Sequence, residues 1–287
     1  MYNYPFQHHT AAFRLLIRVF EEQQVPYFLI GGQARDLLLS RMHIQAYALT
    51  KDIDFAVMVP DLGKFEQLRS MLLGLGFEPR SEAQYRLAWP ESNTIIDLLP
   101  FGGLALDGVV SFPPPGLDVS VRGFQEVLPT LEYVELDPPH SLRIPVAPLH
   151  GIFLLKLIAW SERPEHRMKD LDDMERIIYH YWDFCEREVF GTELHLDLFE
   201  FEGEDADIQI WGARVLGRHL ARMLSGSPRL HEEVIALIAK QADMRVKVGP
   251  LLLRFSRSIE SDDRDINLGK RMLDHLIAGL RDHARQA

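Results

Sequence analysis

The stretch KDIDFAVMV, residues 51–59, constrains this chain more tightly than any other. Its β-branched and aromatic residues favour a strand, and Pro60 closes it. In a strand, residues two apart share a face, about 6–7 Å from one another along the chain. Asp52 and Asp54 therefore project together from a segment that is otherwise apolar. A carboxylate in a core is costly unless it is paired or binds a cation. Either this strand has a wet edge, or the two acids hold something positive.

The neighbouring segments frame that strand. TAAFRLLIRVFEEQQ (10–24) has apolar residues at helical spacing, with Thr10 as a candidate N-cap. VPYFLI reads as a short buried strand ending at Gly31-Gly32, and QARDLLLSR is helical in pattern. MHIQAYALT is an irregular connection to the acidic strand. DLGKFEQLRSMLLGLG is a helix that starts near Asp61. AQYRLAWPESNTIIDLLPFG reads as a hairpin with arms YRLAW and TIIDLL and PESN as its turn. After the break FPPPG, the stretches DVSVRGF, LEYVEL and LRIPV are short strand candidates.

From Ala147 onward the pattern is helical, in APLHGIFLLKLIAWSER, MKDLDDMERIIYHYWDFCERE and three later amphipathic stretches. ELHLDLFEFEGED is ambiguous, because its alternation at 193–200 also fits a strand. The expected fold class is α+β. A mixed β-sheet domain flanked by helices spans residues 1–146, and a helical domain that completes the active-site cleft spans 147–287.

Composition narrows the function classes. The 287 residues are 47% hydrophobic and 25% charged, the balance of a folded protein. The formal net charge of −11 gives no global basic field for nucleic acid. A local basic groove is still compatible, and Lys and Arg gather late, at Arg254, Arg257, Arg264, Lys270 and Arg271. The one cysteine, Cys185, reads as a packing residue in a reducing compartment. The start MYNYPFQHHT lacks the pattern of a secretory signal, and no run of 18 apolar residues occurs, so a cytoplasmic location without a membrane partner is expected. The His8-His9 pair is assigned no role.

Several residues outside the acidic strand extend the chemistry. Asp97 lies in TIIDLLPF, with no other charge for several residues on either side. Beside KDIDFAV it completes a cluster of three carboxylates, which needs bound cations to stay ionised; taken alone it reads as one acid satisfied by backbone N–H groups. Gly31-Gly32 follows a strand and opens a helix, a place where the backbone can approach a phosphate. It matches neither a Walker A loop nor GxGxxG, and alone it is a tight turn. Lys156, Ala159 and Arg163 share one helix face, followed by Lys169, Asp170 and Asp173. Lys156, set in an apolar helix, either snorkels to solvent or reaches an anion.

Taken together, these pieces resemble the nucleotidyltransferases of the DNA polymerase β superfamily. The nearer resemblance is to the AbiEii family, nucleotidyltransferase toxins of abortive-infection (type IV toxin–antitoxin) systems. FLIGGQARDLLL, TKDIDFAV, IIDLLPF and IPVAPLHGIFLLKLIAWSERPEHRMKDLDDM carry it, the last through the pattern KxxAxxxR…KDxxD. The resemblance covers roughly residues 25–180. It implies transfer of a nucleoside monophosphate from an NTP to an acceptor, a tRNA or protein hydroxyl, with an antitoxin as a further partner. It implies Mg²⁺, or Mn²⁺ in its place, held by Asp52, Asp54 and Asp97. Gly31, Gly32, Arg35, Lys156 and Lys169 would then bind the NTP, and Asp170 would have a catalytic or acceptor-positioning role. The superfamily's commoner signature, Gly-Ser shortly before DxD, is replaced here by Gly-Gly about twenty residues upstream. That arrangement also resembles the head of tRNA CCA-adding enzymes and poly(A) polymerases, whose downstream RRDFTINA-like block is absent, and then antibiotic nucleotidyltransferases of the lincosamide type. A nucleotide-binding protein without catalysis is the alternative of another class.

Overall fold

Residues 10–44, 52–80, 83–113, 116–136, 142–203, 207–245, 248–257 and 264–282 are described in a computed structural model. The His8-His9 pair, Lys51 and most of the MHIQAYALT connection lie outside the described residues. The chain divides into two compact units, Met1–Pro148 and Leu149–Ala287.

The first unit runs α1 (Thr10–Glu22), β1 (Tyr27–Ile30), α2 (Gly31–Arg41), β2 (Asp52–Met58), α3 (Leu62–Gly74), β3 (Glu78–Pro79), β4 (Arg86–Trp89), β5 (Thr94–Phe101), β6 (Val109–Phe112), β7 (Leu117–Ser120), α4 (Phe124–Val127), β8 (Glu132–Leu136) and β9 (Leu142–Val146). Seven strands form one mixed sheet in the order β3-β4-β5-β2-β1-β9-β8, and β6 and β7 pair separately. β2 is parallel to β5 and antiparallel to β1, which places it centrally.

Period-two alternation gives β2 two different faces. Phe55 turns toward α1, where its ring meets Phe13 and Phe20 at 5.6 and 5.8 Å. Asp52 and Asp54 turn the other way. Farther along that second face, Phe28 and Phe101 pack edge-on at 5.7 Å and both meet Phe124. One sheet face is thus acidic at one end and aromatic at the other. α3 is capped as its sequence suggests, with the backbone N–H of Lys64 donating to Asp61 Oδ1 at 2.8 Å.

The second unit is built from α5 (Leu149–Glu162), α6 (Met168–Tyr179), α7 (Tyr181–Gly191), α8 (Ile208–Met223), α9 (Pro228–Ala242), α10 (Pro250–Phe255) and α11 (Ile266–Asp282). The stretch from Met168 to Glu188 reads as one amphipathic helix, but the chain breaks at His180 (φ −95°, ψ 10°). That break lets Tyr181 and Trp182 turn inward at the start of α7. ELHLDLFE, whose alternation fits a strand, forms 3₁₀ turns over Glu193–Glu200 instead, interrupted by a kink at His195 (φ −129°, ψ 16°). The second unit has no sheet among its described residues to pair with it, so its backbone groups are satisfied locally. α8 and α11 cross closely: a Cβ on Gly217 would lie 2.2 Å from the Leu276 carbonyl, and one on Gly279 would lie 2.1 Å from that of Arg214.

A polar chain runs through this helical core. The buried Tyr181 hydroxyl lies 2.7 Å from His219 Nδ1 and 3.2 Å from His150 Nδ1. Burial, then the charges of His219 and Arg222, push the His150 pKa down to about 3. The folded value lies below the unfolded one, so between these values the unfolded chain binds more protons and stability rises with pH. His150 keeps some contact with solvent, which reduces the effect. Lowering the pH from 7 to 5 should therefore cost about 1–2 kcal/mol of unfolding free energy. Urea titrations at the two pH values would measure this, and His150→Asn should flatten the dependence.

Candidate active site on the acidic sheet face

Strand register brings the sequence-selected acids together. Asp54 pairs with Asp97 across the parallel β2–β5 ladder, and Asp97 pairs with Arg86 across the antiparallel β4–β5 ladder. On the other side Asp54 pairs with Ile30, the last residue before the glycine turn. The row Arg86–Asp97–Asp54–Ile30 thus crosses four adjacent strands at one level, with Asp52 one step along the same face. Like charges directly opposite one another on paired strands are destabilising.

Arg86 answers part of that repulsion. Its Nε and Nη2 donate to Asp97 Oδ1 and Oδ2 at 2.7 and 2.6 Å, a bidentate pair. Nη2 also lies 3.9 Å from Asp52 Oδ2. The Asp97 hydrogen bonds hold the Arg86 pKa above its ordinary value. Asp97 is buried, whereas Asp52 is half-exposed. The three aspartates share a face, but Asp97 is turned onto Arg86. Among the described residues, only Glu188, His195 and His219 bring three His, Cys, Asp or Glu ligand atoms within 4.8 Å of one another.

Gly31 is fixed by this geometry. It has φ +76°, and a Cβ built on it would lie 2.2 Å from Asp54 Oδ2. The N-terminus of α2 is therefore set directly against the Asp54 carboxylate. The donors available on the face are hard carboxylate oxygens, the set that suits Mg²⁺ or Mn²⁺. The Arg86 guanidinium takes up both oxygens of Asp97.

Other sequence-selected residues are placed differently. Arg35 is 4% exposed, and its Nε and Nη2 donate to Asp36 Oδ1 at 2.8 and 2.6 Å. It is buried, with its guanidinium turned onto its neighbour Asp36. Gly32 is buried in the first turn of α2. In the second unit, Lys156 Nζ lies 2.8 Å from Asp170 Oδ1 and 2.7 Å from Asp173 Oδ2. The KxxAxxxR…KDxxD block is thus a clamp between α5 and α6, with Asp170 buried at the start of α6 and Lys169 exposed. The late basic residues are partly committed to ion pairs, Arg254 with Asp172 and Lys270 with Asp274. Cys185 is buried, and burial raises its thiol pKa, which fits packing better than nucleophilic chemistry.

Sequence reasoning missed Arg86, whose partner follows only from strand register. It also missed Glu188, His195 and His219, which are separated by 7 and 24 residues and form no motif.

No family model and no curated protein matches the chain. A solution structure of the antibiotic-resistance factor ANT(2'')-Ia is similar at a TM-score of 0.35 and 14% identity, covering 63% of this chain and 94% of that one. A crystal structure of ANT(2'')-Ia in complex with adenylyl-2''-tobramycin is similar at a TM-score of 0.38 and 12% identity, covering 73% of this chain and 97% of that one. Similarity at this level assigns neither activity nor substrate.

Two outcomes follow from the site geometry. Gly31→Ala should cost about 1–3 kcal/mol, from the left-handed backbone and from displacement of Asp54, as read by urea unfolding. Arg86→Met leaves Asp97 without its counter-ion and should cost about 1–3 kcal/mol. Millimolar Mg²⁺ should restore part of that loss in Arg86→Met, and calorimetric melts with and without the ion would check it.

Proposed function

We propose that this chain is a metal-dependent nucleotidyltransferase, moving a nucleoside monophosphate from an NTP to an acceptor hydroxyl with release of pyrophosphate. The observation that carries this reading is the register that sets Asp54 opposite Asp97, with Asp52 on the same face and the Gly31 turn against Asp54. A purely structural role gives no reason to align these acids.

In this reading Asp52, Asp54 and Asp97 hold Mg²⁺ or Mn²⁺, which when bound neutralises triphosphate charge and stabilises the attacking and leaving oxygens. Gly31 and Gly32 offer a close backbone approach and the N-terminus of an eleven-residue helix to the triphosphate. An anion cannot settle beside the Asp54 carboxylate without a cation between them, so the turn and the acids work as one site. Asp97 Oδ2, released from Arg86, accepts the proton of the acceptor hydroxyl. Arg86 is the counter-ion of the resting site. Arg35, which the resemblance gives to NTP binding, fixes α2 through Asp36. The roles that the resemblance gives to Lys156, Lys169 and Asp170 belong to the same proposal, with Lys156 also anchoring Asp170.

The acceptor is a tRNA or protein hydroxyl, and a toxin function controlled by an antitoxin is the setting that this resemblance suggests. No helix among the described residues is long and apolar enough to cross a membrane. Incubation with Mg²⁺, each labelled NTP, and total tRNA, a protein lysate or aminoglycosides should label one acceptor class. Asp52→Ala and Asp54→Ala should each abolish labelling. Full labelling by the double variant would refute the metal assignment. Nucleotide-stabilised melting without any labelling would instead indicate a binding protein.

A further inference from the structure

The second unit contains a cluster that the proposed transfer chemistry does not use. Glu188 comes from the end of α7, His195 from the 3₁₀ segment after it, and His219 from the middle of α8. We infer that these three side chains form a binding site for a transition-metal dication of the Zn²⁺ type, distinct from the Mg²⁺ chemistry proposed for the aspartate row.

Spacing is the first argument. His195 Nε2 lies 3.3 Å from Glu188 Oε1, and His219 Nε2 lies 3.1 Å from Glu188 Oε2. A tetrahedral ion with bonds of about 2.0–2.2 Å holds its ligands about 3.3–3.6 Å apart. One ligand atom from each of the three residues lies within 4.8 Å of the other two, so the side chains close on an ion by drawing together.

The second argument is an orphaned atom. His219 is 6% exposed, and its Nε2 stands 3.1 Å from Glu188 Oε2 without the geometry of a good hydrogen bond. A buried nitrogen left in that state is costly unless something else occupies its lone pair. The opposite side of the ring suits such a role. His219 Nδ1 can donate to the Tyr181 oxygen at 2.7 Å, and the Tyr181 hydroxyl can in turn donate to His150 Nδ1 at 3.2 Å. This direction of donation leaves His150 Nδ1 as the acceptor at the end of the chain. It leaves the His219 Nε2 lone pair facing Glu188 and His195. Orientation of a ligating imidazole through its other nitrogen is the usual support for a metal ligand.

Ligand chemistry selects the ion. Two imidazoles and one carboxylate suit Zn²⁺ and its neighbours, whereas Mg²⁺ and Ca²⁺ require mostly oxygen. Glu188 is 31% exposed, which gives an entry path and room for a water as the fourth ligand. The exposed Arg222 guanidinium stands 3.7 Å from Glu188 Oε1, loosely enough to be displaced.

His195 must change its tautomer. Arg218 Nη1 lies 3.0 Å from His195 Nδ1, and a guanidinium only donates, so the metal-free proton is on Nε2. On loading, that proton moves to Nδ1 and Nε2 takes the metal. Arg218 then gives up this contact and keeps Asp197, Asp282 and the Leu194 carbonyl.

The full-length, chelator-stripped protein should bind one Zn²⁺ per chain by calorimetry, and Co²⁺ should produce the visible absorption of a four-coordinate site. A large excess of Mg²⁺ should not compete. Glu188→Gln changes a partly exposed side chain and should fold; it and His219→Gln should each weaken Zn²⁺ binding by roughly 100-fold. Asp54→Ala should bind Zn²⁺ as the unmodified chain does. Zn²⁺ should raise the Tm of the unmodified chain and of Asp54→Ala, but not of Glu188→Gln. Equal affinity in Glu188→Gln, loss of binding in Asp54→Ala, or no stoichiometric binding by the unmodified chain would each overturn the inference and leave the cluster as a hydrogen-bonded histidine pair.

Discussion

Two carboxylates set directly opposite one another on paired strands repel, and the site in the first unit is organised around that repulsion. The β2–β5 ladder fixes the backbone of Asp54 beside that of Asp97, so their carboxylates separate only by turning their side chains. The antiparallel neighbour then brings Arg86 to the same level, where it forms the bidentate pair. The other neighbour ends at Ile30, so the chain must turn at a residue that tolerates both positive φ and a carboxylate in contact. Glycine alone meets both conditions. The acidic strand, the glycine turn and the arginine are one solution to one electrostatic problem.

How much of this was legible in the sequence depended on the range of the interaction. Asp52 and Asp54 could be placed on one face because period two is local. Asp97 stood out because its apolar surroundings made a carboxylate anomalous. Arg86 did not stand out, since an arginine in a hairpin arm is ordinary until strand register gives it a partner. The pairing of Arg35 with Asp36 was hidden for a related reason. Its role depends on α2 being buried nearly all round, which amphipathic patterning cannot reveal when the buried charge is neutralised by its immediate neighbour. For Lys156 the sequence left solvent and an anion as alternatives, and in the structure it meets a pair of aspartates from the next helix.

The second unit shows the same limit more strongly. Its helices were visible from their apolar stripes, yet the break at His180 was not, because the stripe continues through it. That break lets Tyr181 point into the core between His150 and His219. The resulting polar network joins residues from α5, α7 and α8 and the 3₁₀ segment. Buried polar groups of this kind must be satisfied together or not at all, so their meaning appears only when the helices are packed.

The shared face of β2 and β5, acidic at one end and packed with phenylalanine at the other, has a consequence for tolerance to change. The separation of the carboxylates is set by the spacing of hydrogen-bonded strands and by rings locked beneath α4, not by a loop that can adjust. Such a gauge resists drift in the surrounding connections, which can vary in length and sequence while the acids keep their distance. It also makes the site brittle in one respect: a core substitution at Phe28 or Phe101, remote from any reacting atom, would alter the spacing of the acids before it unfolded the protein.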